Sequence, residues 1–267
     1  MHYLNIISSS IIRPQLEPDW EKDIPKMVRS RTPRIWRMVH AAVDRLLKDI
    51  DIKPESVIAA TALGALDETI NYLDGVYKDG FGSPRSFIAS VHNSMAGKIA
   101  IDYKIEGPNL TVCDGQNSFA SAIQTAGLLN KSNNPILLVT VDEKIELLSN
   151  IIPNLSDTCK RYLNPEWEEA AVAFLLDTSS GSEKPYITAA GPQLVRNQKP
   201  EEKCAEMINN LNINNKTKLL PLPETSDSFI KPAIKTYEIL NNSEKGSFAI
   251  GSFSPSAQAA AVVSLCV

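Results

Sequence analysis

The side chains best suited to nucleophilic or metal chemistry are few and scattered in this chain. Its cysteines are Cys113, Cys159, Cys204 and Cys266, and its histidines are His2, His40 and His92. No CxxC pair occurs, so neither a zinc site nor a dithiol redox motif is expected. Four unclustered cysteines suit a reducing compartment. Cys113 closes the apolar pattern Asn-Leu-Thr-Val-Cys (109–113) and precedes Asp114. That carboxylate opposes ionisation of a neighbouring thiol, so Cys113 is read as structural. His92, beside Asn93 in a helical pattern, is read as a structural or interface histidine. Asp142-Glu143 follows a continuous apolar run, 135–141. This is the C-terminal end of a central strand, where α/β proteins place ligands, yet an acidic pair after a strand most simply forms a solvated loop.

The elements that would position these groups follow from periodicity. Residues 2–12 read as a strand, and Pro14, Pro18, Pro25 and Pro33 predict an irregular excursion over 13–33. Thr32-Pro33 reads as the cap and first residue of a helix whose apolar positions are Ile35, Met38, Val39, Ala42, Val43, Leu46 and Leu47. A short buried strand at 56–60 and a helix at 66–78 come next. Residues 87–101 and 117–130 read as two helices rich in small residues, separated by the Gly107-Pro108 turn and the 109–113 strand. Residues 135–141 form a strand buried on both faces, and 169–177 with 186–190 suggest a strand pair. Alternation of strands and helices predicts an α/β fold with a largely parallel sheet. Beyond 195 the chain is polar, with a helical pattern at Cys204–Leu211, a helix at 228–240 and closing strands at 247–253 and 259–265.

The stretch SVHNSMAGKIAIDYKIEGPNLTVCDGQNSFASAIQTAGLL (90–129) resembles the β-ketoacyl synthase family of the thiolase fold. In that family a small-residue helix leads to a Gly-Pro turn. A strand then ends at a sharp elbow carrying a nucleophilic cysteine, and a second small-residue helix follows. Asn93, Ala96, Gly97, Tyr103, Gly107 and Pro108 match without gaps. The position of the family's cysteine is held here by Gln116, a neutral amide that cannot act as a nucleophile. Ser83-Pro84 matches the loop before the first of these helices. The family's Gly-Glu-Gly pattern is replaced by Trp167-Glu168-Glu169-Ala170-Ala171, and its closing Phe-Gly-Gly-Thr-Asn loop by Phe253-Ser254-Pro255-Ser256-Ala257-Gln258.

The resemblance implies a thiolase-like layered α/β/α fold over one domain, 1–267, with a well-matched half (1–190) and a reduced second half (191–267). The family's two enolate-stabilising histidines would come from that second half. All three histidines of this chain precede the elbow, and 221–235, where one of the pair would lie, contains none. The resemblance therefore implies no catalytic residue, cofactor or metal. The expected role is a chain length factor-like subunit that pairs with an active ketosynthase and meets acyl carrier protein through that complex. The setting implied is type II fatty-acid or polyketide synthesis, aryl-polyene or flexirubin-type pigments included. In such pairs the strand before the elbow, with Asn109, Thr111 and Cys113, joins its counterpart across a pseudo-two-fold axis. Arg85, Ser86 and Phe87 would lie near the partner's acyl tunnel. Two alternatives are a malonyl-carrier decarboxylase that supplies starter units and a homodimeric acyl-binding module.

Bulk properties fit this reading. A net charge of −4 gives no general nucleic-acid footprint. The locally basic run at 26–37 is read as a solvated loop and helix start. No apolar stretch approaches membrane-spanning length, and the N-terminus lacks a basic region and cleavage site, so a cytoplasmic location is expected.

Overall fold

The structure, a computed structural model, describes residues 3–22, 24, 26–129, 134–155, 167–177, 185–211, 217–222, 228–242 and 245–267. His2, Cys159 and residues 223–227 of the 221–235 segment lie outside the described residues.

The strands are β1 (Leu4–Ile12), β2 (Ser56–Thr61), β3 (Asn109–Cys113), β4 (Ile136–Asp142), β5 (Ala170–Asp177), β6 (Tyr186–Leu194), β7 (Lys218–Leu219), β8 (Ser247–Ser254) and β9 (Ala259–Cys266). The helices are α1 (Lys26–Arg29), α2 (Arg34–Leu47), α3 (Leu66–Asp79), α4 (Pro84–Ser90), α5 (Asn93–Asp102), α6 (Ser118–Leu129), α7 (Glu146–Ile151), α8 (Pro200–Asn210) and α9 (Lys231–Asn241). The strands form one sheet in the order β3-β2-β4-β5-β1-β6-β9-β8-β7.

Only β3/β2, β2/β4 and β7/β8 are parallel, so the expected largely parallel sheet is in fact mixed. Parallel neighbours need a long crossover. β2, β3 and β4 have such crossovers in α3–α5 and α6, whereas β8 and β9 are joined by a four-residue turn that permits only antiparallel pairing. The expected pairing of β5 with β6 is also corrected. β1 inserts between them, pairing β5 from Asn5↔Asp177 to Ile12↔Ala171 and meeting β6 at Leu4↔Ile187. Chain proximity makes two strands available to each other, but β1 is buried at both its ends, whereas β6 runs out to exposed residues at its C-terminal end, so β1 takes the central place beside β5.

Three apolar clusters separate the sheet and helices into five layers. Ile35, Met38, Val39 and Val43 of α2, with Met95 and Ile99 of α5, cover Val57, Val139 and Ala173 on one outer side. Phe119 and Ile123 of α6, with Ala233 and Ile234 of α9, fill the middle between Ile58, Leu138 and Phe174 on one side and Ile250 and Val263 on the other. Cys204, Met207 and Ile208 of α8 close the far side over Ala249, Ala260 and Val262. The layering is thus α/β/α/β/α, and among the described residues a single helix forms the last layer.

Two helix boundaries differ from expectation. α2 begins at Arg34 with Pro33 as its cap residue, so Thr32 does not cap it. The stretch read as one helix over 87–101 is α4 and α5, divided at Val91, whose backbone is extended. The His92 ring then lies over Gly64, where an added Cβ would stand 2.5 Å from the ring. Gly107 serves the same end of the chain: a Cβ there would lie 2.1 Å from the Glu55 carbonyl oxygen, so the Gly-Pro turn can pass beside β2 only without a side chain.

Candidate functional site

The parallel strands β2, β3 and β4 end together, and the site is built on their C-terminal ends. β3 bonds to β2 on one side and is the edge of the sheet. It leads into a sharp turn, in which Gly115 has φ +52° and a 3-10 turn spans Gly115–Asn117 before α6 starts. Left-handed backbone of this kind favours glycine. The Ser254 hydroxyl stands 3.4 Å from where a Gly115 Cβ would sit, so the closing loop of β8–β9 abuts the elbow.

Hydrogen bonds fix the turn from three directions. Ser118 Oγ accepts from the Asp114 amide at 2.8 Å and donates to the Thr61 carbonyl at 2.9 Å. Ser121 Oγ donates to Asp114 Oδ2 at 2.7 Å. Asn117, fully buried, donates from Nδ2 to the Ala259 carbonyl at 3.1 Å and accepts on Oδ1 from Ser252 Oγ at 2.8 Å. Gln116, half-buried, is the middle residue of the 3-10 turn between these anchors. Reasoning from sequence singled out Gln116 and missed Asn117 and Ser118, whose only signal was adjacency to the elbow.

Cys113 is exposed at the sheet edge, not packed within the sheet. Its thiol turns back to donate to the Ala62 carbonyl at 3.3 Å. Partial burial, then the Asp142 and Asp114 charges, push its pKa up, which keeps it a thiol. Thr111, also on this edge strand, donates from Oγ1 to Asn93 Oδ1 at 3.1 Å, and Asn109 is half-buried beside Gly97.

Asp142 and Glu143 are not a solvated loop, being only 1% and 3% exposed. The strand's last residue still belongs to the interior because β2 and β5 flank it on both sides. Asp142 Oδ1 accepts from Thr61 Oγ1 at 2.8 Å, Ala62 N at 3.0 Å and Leu63 N at 2.9 Å, so one carboxylate shapes the loop after β2. Burial nevertheless raises its pKa to about 6 against the pull of those donors. Burial and the nearby Asp67 raise Glu143 further, to about 8, with Arg34 opposing and Glu169 and Glu68 adding to the rise.

The basic segment is less solvated than expected. Arg34 forms a two-pronged ion pair with Glu169, Nη2 to Oε1 at 2.6 Å, and Arg37 reaches Glu21 at 3.2 Å. Glu169 also accepts from the Lys144 amide at 2.8 Å, so the residues standing at the family's Gly-Glu-Gly position form a structural clamp. His40 lies in the outer helix layer, 3.1 Å from Asp102, with burial lowering its pKa.

Arg85, Ser86 and Phe87 fall in the first turn of α4, which starts at Pro84 with the Ser83 hydroxyl accepting from the Ser86 amide. Ser86 bonds the Glu68 carboxyl, and Arg85 lies close enough to favour its charge, although burial raises that pKa overall. The Phe87 ring packs on Tyr72 with centroids 5.4 Å apart, yet Phe87 is 54% exposed. Helix α3 buries none of its residues, and the α3–α4 hairpin displays Leu73, Tyr77, Phe81, Phe87, Ile88 and Val91 to solvent. Among the described residues no helix is long and apolar enough to cross a membrane, and no group of three or more histidine, cysteine or acidic side chains could hold a metal ion.

The model of the family described as beta-ketoacyl synthase, N-terminal domain, matches residues 8–218. No curated protein matches the chain. Among solved structures, the ketosynthase ApeO in complex with its chain length factor ApeC from Xenorhabdus doucetiae is similar at 16% identity and a TM-score of 0.66, with both chains covered in full. The ishigamide ketosynthase/chain length factor gives 13% identity and a TM-score of 0.75 over 100% of this chain and 99% of that one. The 3-oxoacyl-[acyl-carrier-protein] synthase III of Aquifex aeolicus VF5 gives 13% and 0.58, over 99% of this chain and all of that one. At these identities the likeness establishes the shared thiolase-like layered fold.

Proposed function

Because this chain belongs to the β-ketoacyl synthase family, we propose that it is a non-catalytic, chain length factor-like subunit that pairs with a cysteine-bearing ketosynthase of type II polyketide or fatty-acid synthesis. The observation that carries the reading is the elbow itself: it has the strand, the tight turn and the helix, but Gln116 stands where condensation needs a thiolate. Cys113 is no substitute, since its thiol faces the Ala62 carbonyl and its pKa is raised.

The partner surface in this reading is the free edge of β3, with Asn109, Thr111 and Cys113, together with the apolar α3–α4 hairpin. A contiguous exposed apolar surface is what a stable interface covers, and a sheet edge left unpaired is a template for a second strand. Acyl carrier protein would be met through the assembled pair. Two of the similar solved structures are themselves ketosynthase/chain length factor complexes, which supports the pairing.

Co-expression with a full-length ketosynthase, followed by native mass measurement, tests this reading. A one-to-one complex is expected. Within it, Gln116→Ala should leave the condensation rate within a few-fold, because the amide takes no part in bond making. A hundredfold loss in an intact complex, about 2.7 kcal/mol of transition-state stabilisation, would point instead to a decarboxylating elbow. A stable pair of identical chains that excludes the ketosynthase would point to the homodimeric module. In the same complex Phe87→Ala is expected to shift products toward longer chains if Phe87 closes the partner's tunnel. An unchanged product distribution would remove Phe87 from that role.

A further inference from the structure

Strand β3 spends its sheet bonds on β2 and leaves its other side open. The Val57 amide donates to the Pro108 carbonyl at 2.9 Å, and the parallel register sets Val57, Ala59 and Thr61 beside Asn109, Thr111 and Cys113. In a parallel ladder each of those β2 residues bonds the residues before and after its neighbour, so Leu110 and Val112 commit their amides and carbonyls to β2. The amides and carbonyls of Asn109, Thr111 and Cys113 therefore point away from β2, and among the described residues no hydrogen bond reaches them. Asn109 Oδ1, shielded from solvent at the same edge, also has no hydrogen-bond partner. Side chains alternate across the strand. Thr111 bonds Asn93 of α5, Val112 packs on the middle cluster, and Leu110, on the Val112 face, is left 38% exposed.

Open backbone groups at a sheet edge are satisfied by a further strand, and their spacing restricts how that strand can dock. A partner of the same fold brings the same short strand, and a two-fold axis normal to the sheet makes the two strands antiparallel. Residues directly opposite in an antiparallel pair exchange both bonds only where both have outward groups. With the axis at Thr111, Thr111 meets its counterpart, Asn109 meets the counterpart of Cys113, and every outward amide and carbonyl is used. With the axis at Leu110, Cys113 faces the counterpart of Gly107. With the axis at Val112, Asn109 faces the counterpart of Gly115, and both glycines lie outside the strand. A half-step shift sets outward residues against residues already bonded to β2. Resting on the pairing with a ketosynthase put forward above, we propose that β3 joins the corresponding ketosynthase strand antiparallel with Thr111 on the axis. Thr111 precedes Gln116 by five places, so it faces the partner residue five places before the nucleophilic cysteine. Leu110 then lies opposite the counterpart of Val112, which covers its exposed side.

Paired cysteines read the register. Cα atoms directly opposite in an antiparallel pair lie about 4.5–5.5 Å apart, within the roughly 4.4–6.8 Å that a disulfide spans. Residues offset by two places lie beyond that reach. In the co-expressed complex, with Cys113→Ser to remove the exposed edge thiol, Thr111→Cys should link on mild oxidation to a cysteine placed five before the ketosynthase nucleophile. That link should form at least tenfold faster than one from Leu110→Cys to the position six before it, or from Val112→Cys to the position four before it. Thr111→Pro removes an outward amide and leaves every bond to β2 in place. It should therefore weaken the complex at least tenfold, with the circular dichroism spectrum of the isolated chain unchanged. A dominant link at 110 or 112 in an intact complex would overturn the register and leave the pairing standing. Full assembly by Thr111→Pro would overturn strand addition at this edge. A wild-type chain that never joins the ketosynthase would defeat the pairing itself, and the register with it.

Discussion

Glu143→Gln should make the protein more stable in mildly alkaline buffer and should flatten its stability profile above pH 6. The Glu143 carboxyl is 3% exposed, and its pKa is raised from 4.5 to about 8 by burial first, then by Asp67. A group whose folded pKa exceeds its unfolded value contributes stability that is complete below the unfolded value and is lost as the pH rises through the folded one. For Glu143 that window runs from about pH 4.5 to about pH 8. Asp142 shifts in the same direction, but its window closes near pH 6. The interval from pH 6 to about 8 therefore isolates Glu143, and the wild-type chain should lose roughly 3 kcal/mol across it by linkage. Glutamine has the shape of the protonated acid and cannot ionise, so the variant should match wild type near pH 5 and exceed it at pH 8.5. Urea unfolding at both pH values measures this. Parallel wild-type and variant profiles would mean that Glu143 ionises freely in the folded chain.

Asp142→Ala should act in the opposite sense, with a pH dependence that identifies its cause. Removing the carboxyl leaves the Thr61 hydroxyl and the Ala62 and Leu63 amides without their acceptor. Each buried donor left unpaired costs about 1–3 kcal/mol, so a loss of roughly 3–5 kcal/mol is expected at pH 5. At pH 8 the same substitution also removes a buried charge whose ionisation is disfavoured, since the pKa shift from 3.8 to about 6 corresponds to roughly 3 kcal/mol. The loss should therefore be distinctly smaller at pH 8 than at pH 5. A loss below about 1 kcal/mol at pH 5 would show that water replaces the carboxyl without cost. Because Asp142 shapes the loop after β2, and Ser118 bonds the Thr61 carbonyl, the same variant should loosen the elbow. Amide exchange at 114–118 would report it.

Local pattern carried much of this protein. The α2 core face was legible because its burial follows a 3.6-residue period from Ile35 to Leu46. The elbow was legible because a Gly-Pro turn, a short apolar strand and a small-residue helix are contiguous in the chain, and contiguous residues fix one another's geometry. The absence of cysteine at position 116 needs no coordinates at all.

Tertiary structure alone decided the rest. Sheet order depends on contacts between residues far apart in sequence, such as Ser10 with Ala173 and Tyr186 with Cys266, and neither local propensity nor chain proximity encodes them. Asp142-Glu143 has the composition of a solvated pair, yet β2 and β5 close over it, and the energy of a carboxyl is set by what surrounds it and not by its neighbours in sequence. The cleft beside α2 likewise has no sequence signature: Ile12, Trp20 and Lys48 become one surface only when the excursion folds back on α2. The sequence by itself determined the family, the helix faces and the missing thiol. The fold determined which charges are buried and which are paired.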